Sequence, residues 1–285
     1  MEAGEGDLSN HHQPVGKFLK DTPVPSSQEG WDQHALSQQQ LDFFETNGYI
    51  TKLRVLTEQQ VDQLLDELEV LKKGHGLFHE FHSNESPDPS QVLMHALGAW
   101  RITQGFHDLV FHPVVAKASS QLLGNASGCV AWHQDYSYWT RTAPMAHLTI
   151  HIALDEQTIE NGCLQYVPGS HMWPLLPITS RHFDDMESIR TLLNEQQLAD
   201  FRPVPMLLKK GEATIHHPLL VHGSFGNKSD GPRRATVINV FADGVCSKSD
   251  EPMLAGMPVI PTDQPLKGQF FPLLYEGRRD NLSSS

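Results

Sequence analysis

Cysteine is scarce in this chain: three residues, at positions 129, 163 and 246, with no C-x-x-C among them. An odd and widely scattered set excludes a disulfide framework and a thiolate zinc site. Long apolar runs are missing as well, so no segment approaches the ~20 residues that a membrane-spanning helix needs. The opening MEAGEGDLSN is acidic and polar and does not read as a secretory leader. The final residues, NLSSS, are not the S-K-L peroxisomal address. Positive charge is in deficit, with 21 Lys and Arg against 34 Asp and Glu. No long basic run offsets that balance, which argues against a nucleic-acid partner. These absences lead to the expectation of an intracellular, cytoplasmic protein acting on a small molecule. Nothing in the sequence speaks to its oligomeric state.

What is present suffices for a sizeable core: 39% of residues are hydrophobic, 8% of all residues being aromatic. Nothing in the middle of the 285 residues resembles a linker, so a single domain over 35–276 is expected. Residues 1–34 lack apolar periodicity and carry Pro, Gly, Ser and Gln, the composition of a flexible arm; a flexible tail is expected over 277–285. Ser37 is placed to cap a helix that Gly48 ends, and Tyr49–Leu53 alternates like a strand. Thr57-Glu58-Gln59-Gln60 is a capping-box pattern ahead of Val61, Leu64, Leu65, Leu68 and Leu71 at helical spacing. Residues 104–123 read as helix, restarted at His112–Pro113. His75, His79 and His82 lie in a Pro/Ser-rich stretch without acidic or thiolate partners and read as loop histidines.

From Val130 onward the texture changes to short apolar segments between turn signals. Strands are expected at His147–Ala153, Cys163–Val167, Ala213–His217 and Ala235–Phe241, with Asn161–Gly162 as a hairpin signal and a helix near Met186–Leu198. Helices first and antiparallel strands after them fit a β-sandwich or jelly roll with helices packed outside.

One constellation carries chemistry. His133 and Asp135 are two residues apart, so an extended backbone turns both side chains to one face. His222 follows far downstream, delivered by an apolar segment to the mouth of a turn rich in Gly, Asn and Asp. Two imidazoles and one carboxylate can hold one face of an Fe(II) ion and leave the remaining positions open. Beyond the turn, an antiparallel return places Arg233 across from His222, where a guanidinium can take the far carboxylate of a keto-acid cosubstrate. Ser224 can add a hydroxyl to that carboxylate. Arg234 points to the opposite strand face, so Arg233 is chosen over it. His216 and His217 compete as ligands.

Taken together, AWHQDYSYW, ENGCLQYVPGSH, HHPLLVHGS and PRRA resemble motifs of the phytanoyl-CoA dioxygenase family of Fe(II)- and 2-oxoglutarate-dependent oxygenases. LDFFETNGYI and VLTEQQVDQLLDEL are similar to that family's opening strand and helix, so the resemblance spans about residues 36–245. It implies a mainly β fold with flanking helices and a double-stranded β-helix (jelly-roll, cupin-like) core over about 130–245. It further implies iron on His133, Asp135 and His222, and 2-oxoglutarate on Arg233 and Ser224. Gln134 is expected to line the cosubstrate site, Arg101 to reach the active site, and His151 to stand where relatives often carry tryptophan. The reaction implied couples oxidative decarboxylation of 2-oxoglutarate by O2 to hydroxylation of a C–H bond, with ascorbate as a candidate reductant. Tyr136, Tyr138 and Trp139 would wall the substrate entrance. Between QLLG and His133 the chain has only NASGCVAW, where relatives carry a longer stretch, so a shortened and impaired form is one expectation. A non-catalytic metal- or ligand-binding member of the fold is the alternative; a cupin-like isomerase or hydrolase is a third reading, disfavoured by the Arg233 and Ser224 positions.

Overall fold

The computed structural model of the chain describes residues 6–74, 77, 79–82, 94–123, 133–136, 140–177, 188–253 and 257–276. A short helix α1 (Gln28–Asp32) precedes α2 (Gln38–Asn47), which begins at a reciprocal Ser37/Gln40 cap. Gly48 ends α2 at φ +82°, a left-handed value that glycine adopts without steric cost. Strand β1 (Tyr49–Arg54) follows directly, then α3 (Glu58–Leu71) behind a matching Thr57/Gln60 cap. Val61, Leu64 and Leu71 are buried along one stripe of α3, as the 3.6-residue period requires. Strands β2 (His79–His82) and β3 (Met94–Leu97) pair antiparallel. Helices α4 (Gln104–Val110) and α5 (Pro113–Leu122) come next, the break falling at His112–Pro113 because a proline lacks the N–H a continuing helix would use.

The strands then follow: β4 (Thr142–Ala143), β5 (His147–Ala153) and β6 (Leu164–Tyr166), then a short α6 (Glu195–Asp200). After it come β7 (Val204–Pro205), β8 (Glu212–His216), β9 (His222–Ser224), β10 (Ala235–Phe241) and β11 (Cys246–Ser247). One sheet has the order β1-β8-β5-β10 and another β7-β6-β9, every pairing antiparallel. Strand β5 is buried along its whole length, yet its two faces differ. Leu148, Ile150 and Ile152 join Ala213, Ile215 and Val240 in the main core against α2, α3, α4 and α5. His147, Thr149 and His151 alternate with them and face the other way. Register carries this across the sheet, since Thr149 lies opposite both His216 and Asn239, and His151 opposite Thr214 and Val237. The apolar face builds the core, where each fully buried aliphatic side chain contributes about 1.5–3 kcal/mol. The polar face builds the site.

Three expectations differ from the structure. Residues 6–34 are not a loose arm: Phe18 and Leu19 are buried in the main core. Asp108 accepts the N–H groups of Val15 and Gly16, and Asp7 pairs with Arg101. Two apolar residues and a few side-chain hydrogen bonds suffice to anchor it, and neither produces a periodicity. Asn161–Gly162 does form a tight turn, with Gly162 at φ +76°, but β5 and β6 on either side belong to different sheets. The turn chemistry was read correctly and the pairing was not. In place of one helix near Met186–Leu198, the described part holds a 3-10 turn at Ser188–Thr191 and then α6. Asn194 and Gln197 form a new capping box that starts a separate helix. Residues 124–132 and 277–285 lie outside the described residues, as do His75, Tyr138 and Trp139.

Candidate metal centre

His133 sits in an extended stretch that lies antiparallel to β9, opposite His222. The two residues exchange both backbone hydrogen bonds, His133 N–H to His222 O at 2.9 Å and His222 N–H to His133 O at 3.0 Å. Residues paired in this way project side chains to the same face. Their ring centroids are accordingly 4.0 Å apart. Asp135, two residues beyond His133, completes the group: one ligand atom from each of His133, Asp135 and His222 lies within 4.8 Å of the others. Asp135 and His222 are buried, and His133 is nearly so.

The protonation states suit a cation. Burial, reinforced by the neighbouring His222 and His216, holds the His133 imidazole well below its ordinary value. Burial likewise brings His222 down to about 4. Burial pushes the Asp135 carboxyl up, but hydrogen bonding and charge from His216, with His222 and Thr149, outweigh it and leave the acid below its ordinary value. Near neutral pH the cluster therefore offers two uncharged imidazoles and one carboxylate, the state in which these groups bind metal. His222 Nδ1 donates to the Leu220 carbonyl at 2.9 Å, which leaves the Nε2 lone pair for a ligand. Two nitrogens and one carboxylate oxygen on one side, with no thiolate, match the facial arrangement of non-haem Fe(II) sites.

The other expected site residues divide. Ser224 lies two residues from His222 on β9, on the same strand face. Arg233 precedes β10 and is only partly exposed. Burial lowers its pKa, and its charge acts on two neighbours, Cys163 and the His151 imidazole. Among the described residues its guanidinium has no hydrogen-bond or ion-pair partner. Arg234 faces the opposite way and is bound to Asp155 at 2.8 and 2.9 Å. His151 is buried, hydrogen-bonded to Gln157 at 2.8 Å and brought down to about 3 by burial and then by Arg233.

Gln134 and Arg101 are used otherwise. Gln134, between His133 and Asp135, turns its amide away from the cluster. Its amide donates to the carbonyls of Pro174 and Leu219 and accepts the Leu176 N–H, so it braces two loops. Arg101 is ion-paired with Asp7 and lies 4.9 Å over the Phe270 ring, tying both ends of the chain together. Tyr136 donates to the Thr142 carbonyl at 3.1 Å. Two residues sequence reasoning did not assign to Asp135 are Thr149 and His216, which both hydrogen-bond its Oδ2. The signal for them was the alternation of polar residues along buried strands β5 and β8.

Comparison with known proteins places this geometry in context. A family model described as phytanoyl-CoA dioxygenase (PhyH) matches residues 44–235. The chain is similar to the peroxisomal phytanoyl-CoA dioxygenase of Bos taurus, at 22% identity over 274 residues, 87% of this chain and 77% of that one. It is 27% identical over 247 residues to phytanoyl-CoA dioxygenase domain-containing protein 1 of Mus musculus, covering 80% of each chain. Among solved structures, the epimerase SnoN in complex with Fe3+, alpha ketoglutarate and nogalamycin RO has a TM-score of 0.60 at 22% identity, over 84% of this chain and 98% of that one. The fold is thus a jelly-roll of the cupin-like type with flanking helices, as expected from the motifs.

Proposed function

The chain belongs to the phytanoyl-CoA dioxygenase family, and from that premise we propose that it is an Fe(II)- and 2-oxoglutarate-dependent dioxygenase hydroxylating a small organic substrate. The observation that carries this reading is the nearness of two features, which both act on the His151 imidazole. One is the His133, Asp135 and His222 cluster; the other is Arg233, a partly buried cation with no ion-pair partner among the described residues. A desolvated guanidinium without a counter-charge is costly, and a carboxylate ligand relieves that cost through a charge-assisted fork.

Bound iron and 2-oxoglutarate would supply, together with O2, the oxidising power for C–H hydroxylation, the cosubstrate leaving as succinate and carbon dioxide. The chain's own residues do the placing. His133, Asp135 and His222 would hold the ion. Arg233 takes the far carboxylate of the cosubstrate and the Ser224 hydroxyl joins it. His151 beside Arg233 is a neutral imidazole, so it does not compete for that carboxylate's charge. Asp155 holds Arg234 on the outer side and keeps the second guanidinium out of the site.

The test is succinate formation from 2-oxoglutarate by purified protein supplied with Fe(II) in air, read by mass spectrometry. Turnover in the native chain and its loss in His222→Ala and Arg233→Ala is the result expected. Turnover unchanged in either variant, or absent from folded native protein, overturns the reading.

A further inference from the structure

The two oxygens of Asp135 face different surroundings. Oδ1 lies 3.8 Å from Nε2 of His133 and 4.0 Å from Nε2 of His222. Oδ2 is turned away from them: it lies 3.2 Å from Nε2 of His216 and accepts the Thr149 hydroxyl. Behind His216 the chain of contacts runs on into the protein. The Tyr166 hydroxyl is 2.8 Å from His216 Nδ1 and 2.5 Å from Thr214 Oγ1. His216, Tyr166 and Thr214 are all buried at 1% exposure or less.

The charge of Asp135 fixes which end of His216 donates to it. An ionised carboxylate only accepts, so the His216 proton toward Asp135 is on Nε2. Nδ1, at the other end of the ring, is held by the Tyr166 hydroxyl, which in turn shares a hydrogen bond with Thr214. Burial pushes the Tyr166 phenol upward, which keeps its proton in place. Thr149 cannot do the same work alone. Its hydroxyl has one proton and two acceptors in reach, Asp135 Oδ2 and Asn239 Oδ1 at 3.0 Å. His216 is the donor whose proton is not contested.

We propose that His216 is a positioning residue: it turns the Asp135 carboxylate so that one oxygen, Oδ1, is presented to the metal, with Tyr166 and Thr214 holding the imidazole in the required orientation. The proposal rests on the triad being the metal site. Its consequence is that only Oδ1 would be offered to a metal, Oδ2 being engaged by His216. Without the His216 donor, Oδ2 is released to rotate toward the ion. Outer hydrogen-bond partners of this kind are worth ~10–100-fold in metal affinity.

The probe is Co(II), titrated anaerobically into purified native chain, His216→Phe, His216→Gln, Tyr166→Phe and His222→Ala, with visible spectra recorded at saturation. The glutamine amide can present a donor near the Nε2 position; phenylalanine keeps the volume without it. Native chain should bind one Co(II) and His222→Ala should not, which tests the triad itself. His216→Phe should bind ~10–100-fold more weakly with an altered ligand-field band, and His216→Gln should recover most of both. Tyr166→Phe should shift affinity in the same direction by a smaller factor, and it stands in if His216→Phe does not fold. Native affinity and spectrum in folded His216→Phe, or in folded Tyr166→Phe if the former cannot be made, overturns the positioning role while leaving the triad intact. Failure of His222→Ala to lose Co(II) overturns the triad and the positioning role with it.

Discussion

His112 should make this protein acid-sensitive, by an amount that follows from its surroundings. The residue precedes α5 and is 1% exposed, and neither ring nitrogen has a hydrogen-bond partner among the described residues. Burial first, and His34 second, bring its pKa down to about 4. The unfolded chain binds that proton near the ordinary ~6.5. Between those two values the unfolded state holds more protons than the folded one, so stability falls as pH falls. The contribution is complete above ~6.5 and is progressively lost as pH drops through about 4. Its full span is about 3 kcal/mol, of which about 2 kcal/mol should disappear between roughly pH 7.5 and pH 5. His112→Leu removes the titration at little cost in volume and breaks no hydrogen bond. Urea unfolding followed by circular dichroism at the two pH values should show a drop about 2 kcal/mol smaller in the variant than in the native chain. The other buried histidines titrate in both proteins and cancel from the difference. An equal drop in both would refute the assignment.

Arg233→Ala should not lower the unfolding midpoint in thermal melts, while weakening 2-oxoglutarate binding by ~10–100-fold in isothermal titration, the value of about 1.5–3 kcal/mol for a charge-assisted contact. Arg234→Ala, which breaks the half-exposed pair with Asp155, should cost roughly 0.2–1 kcal/mol of stability and leave cosubstrate affinity alone. Gly162→Ala places a Cβ 2.3 Å from the Phe225 carbonyl at a positive φ, so destabilisation beyond the ~1–2 kcal/mol of the left-handed backbone alone is expected in thermal melts. Gln134→Leu removes the hydrogen bonds to the Pro174 and Leu219 carbonyls and the Leu176 N–H, and should lower stability in thermal melts by roughly 0.5–1.5 kcal/mol per bond lost.

How much of this was legible in the sequence depended on whether a feature is local. Ser37/Gln40, Thr57/Gln60 and His112–Pro113 act within four residues of themselves, and each starts or breaks a helix where the spacing says it should. The long strands β5 and β10 were placed to the residue because their apolar segments end at turn signals. The His133–Asp135 spacing and the distal His222 were visible as a pattern, but their meeting rests on a backbone bridge between residues 89 apart in sequence. Gln134 shows the limit of a motif: it sits between two cluster residues yet faces away, because period two is a matter of geometry and not of proximity. The anchoring of Phe18 and Leu19 was hidden for a related reason, since two buried side chains leave no periodic trace. His216 was noticed only as a rival ligand. Its role beside Asp135 follows from the register of β5 against β8, which pairs it with Thr149.

The central claim is that the His133, Asp135 and His222 cluster and Arg233 form one site for iron and a keto acid. Anaerobic titration of the purified chain with Fe(II) and then 2-oxoglutarate, followed by visible absorption, addresses it most directly. A charge-transfer band that needs both components, and that is lost in His222→Ala and weakened in Arg233→Ala, is the predicted result. A folded protein that shows no such band, or one that keeps it unchanged in both variants, would contradict the account.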